Sequence, residues 1–444
     1  MRVDTNLHTE LSKSAALFER AKSFLPGGCS RNTILRKPHP IYAERGEGCY
    51  VYDVAGVRRT DFANNVASLI HGHAHPAIVA AVSHQMRKGT AFSVGTEAEI
   101  DYAEHICSRN PAFERIRFVN SGTEAVMASL KAARAFTGRP KIAKVEGAYH
   151  GLYDYAEASQ TAKPDNWGQP ERPSSVAVSR GTPQRVLDDV VVIPFNDVKR
   201  ALELLDEHRD QMACVLIDVL PHRIGVIPAA QSFVQALRRW TEHNAALLIF
   251  DEVITFRSNF GGAQQWYDAQ PDITALGKMI GGGFPVGAIA GRAEVMEVLN
   301  PLNGPAPFPL SGTFSANPIT MVAGHTAMKL YDPQAVARLN ALGDRARHAI
   351  GEAIKTAGVP ACVTGQGSMF RIHLSADAPA NYRQAYLSPE KAALLSAFVG
   401  HLFDGGLLMV ETGTGFLSTA MSEQDIDDMA AVVLVALRKM KPHL

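Results

Sequence analysis

Over most of the chain, short apolar runs alternate with longer stretches of helical period. Between Pro76 and about Leu330 the runs RIRFV, KIAKV, VVVIPF, CVLIDVL and ALLIF are set among segments such as AIVAAVSHQM, AVMASLKAARAF, VKRALELLDEH and FVQALRRWTEH. The longer segments return apolar residues every three or four positions, which places them on one side of a helix. The short runs fit strands buried on both faces, and strand–helix alternation joins such strands into a mostly parallel sheet. Both ends of the chain pattern differently. Residues from about Asn6 to Phe24 read as an amphipathic helix stopped by Pro26-Gly27-Gly28, and Ile41 to Asp61 alternate apolar and polar as a small antiparallel meander. Beyond Pro333 come a helix, the short strands PACVTGQ and MFRIHLS, a second helix, the strand-like LLMVE and a terminal helix. The prediction is an α/β fold. A large domain spans 76–330, and a small α+β domain combines 331–444 with the N-terminal segment 1–75.

Composition narrows the class. Lys+Arg and Asp+Glu both number 44, so no basic excess is available for nucleic acid or an acidic membrane surface. No apolar run approaches the roughly 20 residues of a membrane span, and the N-terminus lacks the apolar core of a secretory signal. Five scattered cysteines with no CxxC pair read as reduced thiols in a cytoplasmic protein. Alternate histidines in IHGHAHP raise the question of a metal. The Gly and Pro punctuation favours a turn before a helix at Pro76, and no metal is expected.

The candidate chemistry centres on LLIFDEV and ALGKMIGGGFPVG. Asp251 ends a buried strand, where a carboxylate is costly unless paired, either in a salt bridge or with a cofactor cation. Lys278 lies between an apolar turn and Gly281-Gly282-Gly283, where burial depresses an amine pKa and favours the neutral form a Schiff base needs. Ser121-Gly122-Thr123 stands between a strand and a helix. It is either a simple N-cap or a phosphate cradle of hydroxyls and free N–H groups. Tyr149, in Tyr149-His150-Gly151, either stacks on a flat ring or packs in the core. Ser311 to Pro318, SGTFSANP, is a second Gly/Ser/Thr loop entering a helix.

Together these motifs resemble the class III, fold type I, pyridoxal phosphate (PLP)-dependent aminotransferases. Within that family they are most similar to the branch of glutamate-1-semialdehyde aminomutase and the β-amino-acid aminotransferases. The similarity runs from LPGG through GHAHP, FVNSGTEA, AYHG, IFDEV and ALGKMIGGGFPVGA to SGTFSANPITM. It implies that Lys278 forms the Schiff base and shuttles the proton, and that Asp251 pairs with the pyridine nitrogen. Val253 and Tyr149 would pack on opposite faces of the ring, and Ser121, Gly122 and Thr123 would hold the phosphate. Thr313 would come from the partner subunit of a homodimer with shared active sites. Two departures weigh against the aminomutases: Thr412 to Phe416 has no Glu where their gate would sit, and Phe314 replaces a leucine. Cys29-Ser30-Arg31 is similar to the β-phenylalanine aminotransferases, which makes Arg31 a candidate for gripping a substrate carboxylate. Asp218 to Arg223 departs from the usual Glu-Pro stretch, so Arg223 or His222 is a second candidate. The expected reaction is amino transfer between a carboxylate-bearing amine, such as a β-amino acid, and a 2-oxo acid. The alternative is intramolecular transfer of the glutamate-1-semialdehyde aminomutase type.

Overall fold

The computed structural model describes residues 4–444, with side chains from Lys13 onward. Seven strands build the central sheet: β1 (Arg115–Val119), β2 (Lys141–Val145), β3 (Val190–Ile193), β4 (Met212–Ile217), β5 (Leu247–Asp251), β6 (Ile273–Gly277) and β7 (Gly287–Gly291). Their spatial order is β1-β7-β6-β5-β4-β2-β3. β7 runs antiparallel to both neighbours, and the remaining pairs are parallel. Every residue of β4, β5, β6 and β7 is buried, as befits strands covered on both faces. The pattern of apolar runs did not reveal β7, whose sequence GAIAG is small rather than β-branched. Its first glycine has a packing reason: a Cβ on Gly287 would lie 2.0 Å from the Ser121 carbonyl oxygen.

Helix α1 (Gly122–Thr137) follows β1 and buries Ala125, Ala128, Ala132 and Ala133, small residues that let it lie close to the sheet. Ser121 caps it by accepting from Glu124 N at 3.1 Å. The N-terminal strands Ala43–Glu47, Tyr50–Asp53 and Arg58–Asp61 form the predicted meander, and Leu407–Leu408 joins its edge in parallel with Thr60–Asp61. A separate three-stranded sheet comprises Cys362–Thr364, Met369–His373 and Thr414–Phe416. Helices α2 (Pro333–Ala357) and α3 (Glu423–Met440) pack together in the same core as Phe370 and Ile372. The N-terminal helix runs Asp4–Lys22, slightly earlier than its expected span. Among the described residues no helix is long and apolar enough to cross a membrane.

Two details fix how the outer elements meet the sheet. Asn64 to Ala67 hold φ of 51°, 44°, 54° and 69°, a left-handed turn that costs non-glycine residues about 1–2 kcal/mol each. Asp61 Oδ1 accepts from Asn64 N and Asn64 Oδ1 from Leu69 N, both at 2.8 Å, and Val66 and Ala67 pack with Ile254 and Phe416. Fully buried Arg257 donates to Ser368 Oγ at 2.9 Å and to the carbonyls of Ala67 and Leu417, tying three segments together. The histidines of IHGHAHP diverge. His71 bridges Thr419 Oγ1 and the Ala327 carbonyl, whereas His73 Nε2 faces Asp61 Oδ2 at 2.8 Å.

Candidate active site

Because β1, β2, β4, β5 and β6 run the same way, their carboxyl ends share one edge, where α/β sheets place ligands. A cavity opens there with about 580 Å³ of empty volume, its mouth included. Ser121, Gly122 and Thr123 reach it from the end of β1, and Tyr149 and His150 from β2. Asp218 comes from β4, Asp251 and Val253 from β5, and Lys278 from β6. Seven of the residues singled out in the sequence thus line one space.

Asp251 is buried and oriented from two sides. His150 Nδ1 lies 2.8 Å from its Oδ2, and Val253 N donates to its Oδ1 at 3.1 Å. A carboxylate has about four acceptor sites, so capacity remains for a further donor. Burial pushes the His150 pKa down, with Asp251 opposing, and a neutral ring facing a carboxylate donates from Nδ1. His150 Nε2 is buried without a partner among the described residues. Asp218 Oδ1 accepts from Leu220 N at 2.9 Å. Burial, and secondly the charge of Asp251, hold its carboxyl well above the usual range.

Lys278 follows β6 at φ +51°, a left-handed conformation for a non-glycine residue of the sort that concentrates at functional sites. Burial lowers its pKa, while Asp251 and Asp218 pull the other way. The effect is an amine brought nearer to the neutral, nucleophilic form.

The Ser121–Thr123 wall of the cavity suits an anion. The first N–H groups of α1 have no intrahelical acceptor, and Ser121 and Thr123 add hydroxyls. The space is held open by missing side chains. A Cβ on Gly122 would lie 2.8 Å from Val253 Cγ1, and Gly151, at φ +91°, would bring one to 2.6 Å from Thr123 Oγ1. An anion cradle, an apolar and an aromatic wall, an oriented carboxylate and an amine of lowered pKa fit PLP.

Four residues singled out in the sequence lie elsewhere. Arg223 borders the cavity without lining it: its guanidinium is 5.0 Å from the Tyr149 ring centroid, and Nη1 donates to the Gln160 carbonyl at 3.0 Å. Neighbouring His222 stands edge-on to Tyr149 at 5.9 Å. Arg31 is exposed and donates to Asn65 Oδ1 at 2.6 Å, on the left-handed turn. Thr313 is exposed in a groove with Phe92 and Val94, apart from the Lys278 cavity. Sequence reasoning assigned no role to His150 or Asp218. Asp218 carried the same signal as Asp251, a carboxylate closing an apolar run, and His150 adjoined the recognised Tyr149.

Fold and site define a fold type I PLP-dependent transferase. The chain belongs to the class III aminotransferases: the family described as aminotransferase class-III matches residues 34–428. It is 40% identical over 378 residues to a glutamate-1-semialdehyde 2,1-aminomutase of Methanothermobacter thermautotrophicus, covering 84% of this chain and 86% of that relative. Among solved structures, an omega-transaminase from Sphaerobacter thermophilus is 47% identical with a TM-score of 0.93, over 96% of this chain and 97% of the other. A β-phenylalanine aminotransferase from Variovorax paradoxus is 32% identical with a TM-score of 0.86, over 98% and 95%. The protein is thus a PLP-dependent enzyme of the family that its motifs resembled.

Proposed function

We propose that this enzyme is an aminotransferase that takes the amino group of a carboxylate-bearing amine, a β-amino acid such as β-phenylalanine, and delivers it to a 2-oxo acid. The observation that carries the substrate class is Arg223 beside Tyr149 at the edge of the Lys278 cavity, a planar cation suited to a carboxylate. The similarity to the omega-transaminase and to the β-phenylalanine aminotransferase supports the same choice. Arg31, anchored on Asn65, is the second candidate cation.

Bound PLP supplies an electron sink for the pair left when a proton departs from the amine-bearing carbon. Lys278 Nζ, its pKa lowered by burial, takes that proton and returns it. Asp251, set by His150 and Val253 N, presents its carboxylate to the pyridine nitrogen. Ser121, Gly122 and Thr123 hold the phosphate, and Val253 and Tyr149 wall the ring. Thr313 serves the cavity of a second subunit, so the active unit is a homodimer. The segment 1–75 belongs with 331–444 as one domain beside 76–330, linked by the pairing of Leu407–Leu408 with Thr60–Asp61. The five cysteines are free, in keeping with a reducing cytoplasmic setting.

The test is incubation of the holoenzyme with β-phenylalanine and either 2-oxoglutarate or pyruvate. Glutamate or alanine is the expected product. A second reading, the intramolecular aminomutase, is favoured by the 40% identity to the archaeal enzyme. Isomerisation of glutamate semialdehyde with no acceptor, and no transfer from β-phenylalanine, would establish it instead.

A further inference from the structure

Lys278 opens a short turn, Lys278–Gly281, and its φ of +51° is one that a non-glycine residue keeps only where its surroundings enforce it. The enforcement comes from behind the cavity. Ile280, two residues on, is fully buried, and its carbonyl accepts from the Tyr102 hydroxyl. No other donor reaches that carbonyl among the described residues. Tyr102 lies in the helix Glu97–Ser108, is fully buried and lines no part of the Lys278 cavity. Burial pushes its pKa up, so the phenol stays protonated and donates. Its ring stacks with Phe118, at 5.4 Å between centroids, and with His325, at 5.7 Å, which fixes where the hydroxyl points.

The helix Pro318–Leu330 closes on the same carbonyl. A Cβ on Gly324 would lie 2.1 Å from the Ile280 oxygen and 2.8 Å from Tyr102 Cε1, so a glycine there lets helix, carbonyl and ring meet. A second hydroxyl holds the far end of the loop: Thr320 Oγ1 donates to the Pro285 carbonyl at 3.3 Å. The chain after Lys278 is thus gripped at two carbonyls by two side chains, neither of which lines the cavity.

We propose that Tyr102 is a positioning residue for Lys278, its hydroxyl holding the Ile280 carbonyl so that the turn keeps Nζ aimed into the cavity. The inference rests on the reading of Lys278 as the group that carries the proton. The demand is greatest when Nζ is free of the cofactor, since protein contacts alone then keep the turn in its strained form. A displacement of about 1 Å at a reacting group costs about 100-fold in rate, so a hydrogen bond outside the cavity bears on turnover. Tyr331 supplies the matched contrast. It is as deeply buried, and its hydroxyl also donates to a backbone carbonyl, that of Arg257 at 2.6 Å, outside the Lys278 turn.

The test sets Tyr102→Phe beside Tyr331→Phe in the PLP-loaded enzyme, since each removes one buried hydroxyl. Tyr102→Phe is expected to lower kcat about tenfold, with KM for the amine within about twofold of wild type. A looser turn admits water to Nζ, so the pKa that burial lowers rises, and the acid limb of the kcat profile moves up by about half a pH unit or more. Asp251, Asp218 and His222, whose charges act across the same space, are unchanged by the substitution. Amides of Met279 to Gly283 should exchange with deuterium about tenfold faster, whereas those of β4 should not. Tyr331→Phe is expected to leave kcat, the acid limb and those amides as in the wild type. Should Tyr102→Phe not fold, Thr320→Val carries the test, with smaller changes in the same direction expected and none overturning the proposal. Tyr102→Phe indistinguishable from Tyr331→Phe in the acid limb and in exchange of the turn would overturn it while leaving Lys278 its role. Undiminished turnover in Lys278→Ala would remove that role, and the inference with it.

Discussion

Asp251 and Glu252 are consecutive carboxylates at the end of one buried strand, and they face different tasks. Asp251 lines the Lys278 cavity and is held there by His150 and Val253 N. Glu252 points away from it, as alternation along a strand requires. Its carboxylate accepts from Ala263 N at 2.6 Å and from Gln264 N and Nε2 at 3.0 Å. Gly262, at φ +95°, lets the chain close around that carboxylate, since a Cβ there would lie 2.5 Å from Oε2. Burial pushes Glu252 up to about 7 against the pull of those donors. Burial and charge therefore do not separate a functional carboxylate from a structural one. What separates them is where the acceptor sites go: the protein engages those of Glu252 with its own N–H groups and leaves part of Asp251 for another partner.

The largest effect is expected on the cavity side. Lys278→Ala should reduce amino transfer on the order of 10³-fold or more, measured as turnover on the preferred amine, and abolish the absorbance of the cofactor–lysine link. On the structural side the expected signature is pH-dependent stability. The folded-state pKa of Glu252 is raised from 4.5 to about 7, so across that window the unfolded chain loses its proton first. Stability from this group is complete below about 4.5 and is lost as pH rises through 7, a change of about 3 kcal/mol at most. Glu252→Gln has no such proton, and its denaturation midpoint should vary less between pH 4.5 and 7 than that of the wild type. A smaller effect is expected at the anion cradle. Gly122→Ala drives a methyl toward Val253 Cγ1, and PLP affinity should weaken by about tenfold, read by equilibrium dialysis. The smallest is Arg223→Ala, expected to raise KM for amino acids several-fold more than for simple amines. Equal losses on both would remove the carboxylate role.

Much of this was legible in the sequence because the chemistry sits where strands end. The apolar runs before Asp251 and before Lys278 mark two strands, and parallel strands bring their carboxyl ends together. Local sequence therefore predicted a shared location for Ser121, Tyr149, Asp251 and Lys278, and the cavity unites them. It could not show the His150–Asp251 bond, which spans distant segments and depends on the register of non-adjacent strands. Nor did it show β7, because glycine and alanine carry no strand preference and the reason for Gly287 is the close passage by Ser121.

The most direct test measures turnover per folded molecule for Asp251→Asn and Glu252→Gln side by side, at a pH where both are stable. Asp251→Asn is expected to lose about 100-fold or more, having replaced the carboxylate proposed to serve the ring nitrogen, whereas Glu252→Gln should stay within about twofold of wild type. Equal losses in the two variants, or a greater loss in Glu252→Gln, would contradict the division of roles between these adjacent carboxylates.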